Sequence, residues 1–215
     1  AVDATYLTNN TWAYIDASTV YAGSGVEVTA ISGLSPLSGP DKPAVVVAGA
    51  SLSAMLSLAG AVSVVVTENT NLAYIQGSQM YSLGSIKVLS SHNILMDIYG
   101  GTVAGSKFVG AGGTVVVSSF KNTSKAEIKG SELNATGAIE IIARSRDLIS
   151  VRVGTAGIGV TGAGVAGAVS VILVETTTEA SVQSQGVVIS KINQDSRFRP
   201  GGAYATADAA GQTIV

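Results

Sequence analysis

Cysteine is absent from this chain of 215 residues, and histidine occurs once, at position 92. The absence of cysteine excludes disulfides, thiol catalysis and thiolate metal sites. A single histidine cannot supply a histidine-based metal cluster, and it limits any Ser/His/Asp triad to His92. We therefore expect neither a metal site nor a cofactor.

Charge is also scarce, because Asp, Glu, Lys and Arg make up 12% of the residues and the net charge is −2. Without a basic field, the chain is not expected to bind nucleic acid or an anionic membrane. Two uncharged stretches, residues 44–67 and 153–174, are long enough to span a membrane. We interpret both as buried strands, because they are rich in glycine, serine and β-branched residues and their mid-chain counterpart contains Lys107.

The composition that remains is typical of strands and turns. Hydrophobic residues make up 47% of the chain, mainly valine, isoleucine and alanine, and 26 glycines are interleaved with serine and threonine. Such residues favour pleated strands and tight bends over helices. The composition predicts an all-β protein.

One sequence unit occurs three times without a gap, beginning at Ile15, Ile75 and Ile128. Each copy reads apolar-x-small-Ser-x-apolar, then a polar turn containing glycine, then apolar-x-apolar-x-small. The alternation predicts strands with one buried face, and the small residue and the serine predict a bend between two strands. The unit is the main evidence for a repeat architecture.

Alanine anchors at positions 13, 73, 126 and 180 set the length of the full repeat. The last three anchors are separated by 53 and 54 residues, whereas 60 residues separate the first two. The excess of 7 falls on residues 33–43, which hold three of the four prolines and are predicted to form an inserted loop. Because a repeat near 53 residues is long for one turn of a β-helix, we predict two to three coils per repeat.

These observations predict a right-handed parallel β-helix that forms a single domain over residues 1–190. Residues 191–215 depart from the repeat and are predicted to be an irregular tail, a loop or a cap. Polar segments 68–71, 121–124 and 175–178 are predicted to be corners that stack along one edge, with asparagine and threonine bonded from coil to coil. Because Ala1 follows neither an initiator methionine nor a signal peptide, we expect an excised piece of a longer parent chain.

Two motifs resemble the repeats of known bacterial surface proteins. Residues 126–133 followed by 137–143 resemble the repeats of filamentous-haemagglutinin-like adhesins and autotransporter passengers. Residues 162–171 resemble the repeat of leukotoxin-type filamentous adhesins. The resemblance covers about residues 6–190 and implies a β-helical segment at the bacterial surface, or secreted, that binds a host-cell or bacterial-surface glycan or protein. Such a segment would be a stiff spacer or would present shallow side faces.

A carbohydrate-active β-helix, either a polysaccharide lyase or a glycoside hydrolase, is the enzymatic alternative, and it requires clustered carboxylates. The most polar patch comprises Arg144, Arg146, Asp147 and Arg152, with His92, Asn93 and Asp97 one repeat earlier. We expect no enzyme, because the patch has two carboxylates and an intervening coil is expected between its halves.

An ice-binding solenoid is a further alternative, and it would require a regular Thr-x-Thr array on one face. Thr176–Thr178 contains such a pair, but the matching corners do not repeat it. The sequence therefore disfavours this function, and it identifies no individual ligand-binding residue.

Overall fold

The structure is a computed structural model that describes residues 1–34, 44–183, 188–190, 203–208 and 213–214. This part of the chain contains parallel strands and no helix. The predicted all-β, parallel β-helical architecture is confirmed.

Each complete lap of the chain consists of a long strand, a short strand and a second long strand. The second lap comprises β5 (Leu56–Gln76), β6 (Gln79–Ser82) and β7 (Ile86–Ser106). The third comprises β8 (Val109–Lys129), β9 (Glu132–Ala135) and β10 (Ile139–Gly159). The first contains β1 (Val2–Asp16), β2 (Thr19–Ala22), β3 (Val26–Leu34) and β4 (Ala44–Ser53). The fourth contains β11 (Ala163–Gln183), β12 (Val188–Ser190), β13 (Ala203–Asp208) and β14 (Thr213–Ile214).

Successive laps stack into three parallel sheets, and each strand pairs with its counterpart in the next lap. The front sheet has the order β1-β5-β8-β11, and the short side wall has the order β2-β6-β9-β12. The back sheet is centred on β7 and β10, with β3 and β4 on one side and β13 and β14 on the other. The front and back sheets pack face to face, and the side wall closes one end.

The register shows that one sequence repeat is one lap. Leu56 pairs with Val109 and Ile86 pairs with Ile139, a shift of 53 residues in both sheets. The prediction of two to three coils per repeat was therefore wrong. It assumed strands of ordinary length, whereas the long strands of this coil have 21 residues each.

The extra residues of the first lap lie at one point of the back sheet. Leu34 pairs with Ile94 and Ala44 pairs with Asp97, so nine residues of the first lap replace two of the second. Residues 35–43, most of the predicted insertion, lie outside the described residues. Within the predicted irregular segment 191–215, β13 and β14 pair with β10, and the rest lies outside the described residues.

The bend between each front strand and the side wall explains the small residue and the serine of the repeat. The stacked positions Ala17, Gly77 and Gly130 have φ angles of 45°, 55° and 51°, a left-handed conformation that favours glycine. In the next position, Ser78 donates to the carbonyl oxygen of Gln76 and accepts from the backbone N–H of Ser18 in the lap above. Ser131 makes the equivalent contacts one lap later. The bend is thus held by a serine ladder along the stack.

The interior beside the side wall is filled by a large apolar cluster. Its fully buried members form ladders of like residues from lap to lap, for example Ile75 with Ile128 and Ile86 with Ile139. A second cluster lies further along the long strands and includes Ile94, Phe120 and Ile149. Burying each of these side chains contributes roughly 1.5–3 kcal/mol. We refer to the region around the first cluster as the wide end.

The opposite end of the coil is so thin that glycine is required for space. A Cβ atom on Gly110 would lie 2.6 Å from the carbonyl oxygens of both Ala104 and Ile158, in the facing back sheet. A Cβ atom on Gly157 or Gly164 would likewise collide with the backbone of the opposite strand. We call this glycine-lined region, where the front and back sheets nearly touch, the thin edge.

The two uncharged stretches form strands in this region, but the interpretation of them as buried strands was only half right. Their inward residues are buried, for example Ala61 and Val65. Their outward residues are exposed, for example Leu52, Leu58 and Val160. The thin edge has little interior to fill, so half of its apolar side chains face outward.

Candidate functional site

A layer of polar side chains crosses the interior between the two apolar clusters. Asn69 donates to Asn122 in the next lap at 2.9 Å, and the hydroxyls of Ser90 and Ser124 lie 2.8 Å apart. Asn71 donates to the backbone carbonyl of Ser91 across the interior. This layer runs along the stack axis and links the front sheet to the back sheet.

The polar layer contains the single histidine and a carboxylate, and both are buried. His92 Nε2 lies 3.3 Å from Asp147 Oδ1, and each side chain is 1% exposed. On the other side of the ring, Nδ1 lies 3.3 Å from the hydroxyl of Ser32. The Oδ2 atom of Asp147 accepts from Thr176 at 2.9 Å. Ser32, His92, Asp147 and Thr176 come from four successive laps and form one column.

The surroundings of Asp147 keep its carboxylate ionised. Burial acts to raise the pKa of Asp147, but the His92 ring, the Thr176 hydroxyl and Asn122 together hold the pKa below its usual value. The carboxylate is therefore stabilised as an anion inside the stack by groups on three laps.

The order Ser32–His92–Asp147 superficially matches the residues of a hydrolytic triad. However, all three are buried in the interior. The grooves described on the surface are lined by other residues. A nucleophile must reach its substrate, so this column is arranged to hold laps together and not to act on a ligand.

The polar patch predicted from the sequence is divided between two sides of the back sheet. His92 and Asp147 face inward, whereas Asp97 and the three arginines alternate with inward residues and lie on the outer face. The expectation that an intervening coil separates the two halves was wrong, because β7 and β10 are neighbours in the sheet. Asp97 and Asp147 therefore lie close along the chain register but cannot converge on one substrate.

Period-2 alternation through the polar segments could have revealed the buried column. The segments 68–71, 121–124 and 175–178 were predicted to be corners, but each lies within a long strand of the front sheet. Their predicted stacking in register is confirmed. Because strands continue through them, alternate polar residues point inward, which places Asn69, Asn122 and Thr176 beside Asp147.

The outer face of the front sheet is apolar over the half that adjoins the thin edge. Exposed valines and leucines occupy five register rows there, while the row of Gly60, Gly113 and Gly167 is open to solvent. We call this surface the valine face; its exposed members are Leu56, Leu58, Val62, Val64, Val109, Val115, Val165, Val169, Val171 and Leu173.

Beyond the valine face, the outer rows of the front sheet become polar. The first of these rows is Glu68, Lys121 and Glu175, which alternate in charge. The next is Thr70, Thr123 and Thr177, so one threonine of the fourth lap is matched in both preceding laps. This row is a single file bordered by charged residues, not the two-column Thr-x-Thr array of an ice-binding surface.

Exposed aromatic residues gather on the wide end in the first two laps. Tyr14 stacks on Tyr74 with ring centroids 5.2 Å apart, and Tyr21 stacks on Tyr81 at 5.0 Å. Trp12 lies two residues before Tyr14 on the same outer face, and it is also exposed. These five residues form a surface that we call the aromatic strip. Exposed aromatic side chains are typical of recognition surfaces.

The back sheet carries a shallow groove of about 500 Å³ along the stack axis. Its floor is the row of Ala48, Gly101 and Gly154, where small residues leave the backbone uncovered. At the next outward row, Arg152 lies over the ring of Tyr99, with 5.6 Å between the guanidinium carbon and the ring centroid. The groove is apolar and offers no acid–base pair.

Among the described residues, no group of acidic or histidine side chains could hold a metal ion. In the same part of the chain, no helix is long and apolar enough to cross a membrane. No family model, curated protein or solved structure matches this chain.

Proposed function

We propose that this chain is a structural and adhesive segment of a large bacterial surface or secreted protein, without enzymatic activity of its own. The observation that carries the proposal is the uninterrupted pairing of whole laps, which makes a stiff unit with broad outer faces. Recognition would then occur on those faces and would require no enclosed pocket. The motif resemblance to filamentous adhesins and autotransporter passengers supports the same function.

The dimensions of a lap favour the presentation of a face over the role of a spacer. A strand of 21 residues extends about 70 Å, whereas each lap advances the stack by only about 4.8 Å. A repeat of this length therefore gains width far more efficiently than height. We propose that the segment acts as a broad plate whose aromatic strip contacts a glycan or protein of a host cell or neighbouring bacterium.

The carbohydrate-active alternative is disfavoured by the direction of the acidic side chains. A glycosidase or lyase needs carboxylates on opposite sides of one bound sugar. Asp97 and Asp147 lie on opposite sides of the back sheet, and Asp147 is occupied by His92 and Thr176. The aromatic strip could bind a sugar ring, but no carboxylate pair is placed to cleave it.

Glycan-array and host-cell binding by the immobilised chain test the proposal, with release of reducing sugar or unsaturated products measured on every glycan that binds. We expect binding without turnover, and a loss of binding in the Trp12→Ala/Tyr21→Ala variant. Tyr99→Ala, an aromatic truncation on the back sheet, is the matched control and should bind normally.

Two results would contradict this function. Turnover of a bound polysaccharide would establish the enzymatic alternative. Failure to bind any host cell, bacterial cell or glycan by a chain with an intact thermal unfolding transition would remove the adhesive role.

A further inference from the structure

The valine face is too apolar to be an ordinary solvent-facing surface. Parallel sheets are normally covered on both faces, and a typical monomer exposes no apolar patch beyond about 300–600 Å². The ten exposed valine and leucine side chains of this face leave on the order of 800 Å² accessible, which is what each partner contributes to a standard protein interface. The area is therefore sufficient for a stable dimer.

The relief of the valine face is complementary to itself. The glycine row (Gly60, Gly113, Gly167) forms a gutter, and the valine row two residues later (Val62, Val115, Val169) forms a ridge. A two-fold axis parallel to the stack and midway between these rows places the ridge of each copy over the gutter of the other. Neighbouring rows then alternate about 7 Å apart along the strands, which suits interlocking side chains.

The same axis also brings opposite charges together at the border of the interface. Lys107 lies at the tip of the thin edge, two residues before Val109, and it is the one charged residue between the uncharged strands. Counting rows across the axis places this tip opposite the charged row that contains Glu68. The charged residues thus fall on the rim, and the centre of the contact remains free of charge, as is typical of protein interfaces.

We propose that the valine face binds the valine face of a second copy of this chain, with the two stacks side by side and parallel. A lipid surface fits the face less well. Strand edges at the ends of the stack would leave backbone groups unpaired in hydrocarbon, and Lys107 would have to enter it. This association does not depend on adhesion, so either proposal can fail alone.

Sedimentation equilibrium of the 215-residue chain over a concentration series measures the association. We expect a mass that rises from 21.5 kDa to twice that value and no further, because a two-fold contact closes on itself. Val115→Asp would bury an unpaired carboxylate over the gutter and should weaken the dimer by about 30-fold or more. Val103→Asp is the matched control, because Val103 is an equally exposed valine on the outer face of the back sheet.

Charge reversal tests the orientation of the two copies. Lys107→Glu should weaken the dimer about fivefold, and adding Glu68→Lys to the same chain should restore it. Both aspartate variants should keep the unfolding temperature of the parent chain, which separates loss of contact from loss of fold.

Several outcomes would overturn the proposal. A parent chain that stays monomeric at high micromolar concentration, or an equal loss of dimer in Val103→Asp, would exclude the valine face as the contact. Flotation of the chain with vesicles of phosphatidylcholine and phosphatidylglycerol would assign the face to a membrane instead. Failure of the double charge reversal to restore association would exclude the parallel two-fold arrangement.

Discussion

The wide end and the thin edge of the same lap solve opposite problems. At the wide end, the side wall holds the front and back sheets apart, and large side chains such as Ile128 and Leu133 fill the space. At the thin edge, the backbones themselves are in contact, and Gly110 and Gly157 occupy positions where a methyl group would not fit. The wide end is therefore limited by loss of volume, and the thin edge by any gain in volume.

The largest expected effect comes from removing volume at the wide end. Ile128 is fully buried between laps, so Ile128→Ala should lower the free energy of unfolding by about 3 kcal/mol, through lost burial and the cavity left behind. Ile158→Ala makes the same change on the exposed outer face of the thin edge and should cost less than about 1 kcal/mol. Urea denaturation compares the two variants. Equal costs would show that the two ends do not differ as described.

Adding volume at the thin edge is expected to have the next largest effect. The Cβ atom of Gly110→Ala would meet carbonyl oxygens on two opposing strands, and forcing the sheets apart should cost about 2 kcal/mol. Gly113→Ala is three residues away on the same strand but faces open solvent. That control should be neutral or slightly stabilising, because alanine restricts the unfolded chain. Thermal unfolding of both variants would contradict the steric explanation if Gly110→Ala were equally well tolerated.

Between the two ends, the polar layer is expected to contribute a pH-dependent stability. The pKa of Asp147 is lowered in the folded state, so its contribution is fully present above the unfolded value of about 3.9 and is lost as pH falls below that value. Asp147→Asn should cost about 1–2 kcal/mol near neutral pH, and the difference from the parent should shrink in acid. The measurement is urea denaturation as a function of pH.

Ser145→Ala is the control for that experiment. The Ser145 hydroxyl is buried in the same interior and has no hydrogen-bond partner there. Its removal should be neutral or slightly stabilising, with the pH profile of the parent chain. A pH-independent cost of Asp147→Asn would show that packing, and not the charge of the carboxylate, accounts for the effect.

The sequence predicted the fold because the repeat combines period-2 alternation with fixed small residues. Ladders such as Ile75–Ile128 follow directly from that pattern. The number of laps was mispredicted, because a polar segment inside a long strand resembles a turn in composition. Asn69 and Asn122 are surface-type residues, and only continuous alternation indicates that they point inward. The pairing of His92 with Asp147 depends on a two-residue offset between neighbouring laps, which spacing alone does not fix.

The smallest expected effect separates the two reasons for glycine in this coil. At the wide end, Ala17 occupies the left-handed position that Gly77 and Gly130 occupy in the next laps. Ala17→Gly should relieve that conformation, and after the greater entropy of glycine in the unfolded chain is subtracted it should raise stability by about 0.5 kcal/mol. Gly130→Ala should lower stability by about 1 kcal/mol, although φ and not space is the cause. Calorimetry can resolve both changes, and a destabilising Ala17→Gly would mean that the bend tolerates alanine without strain.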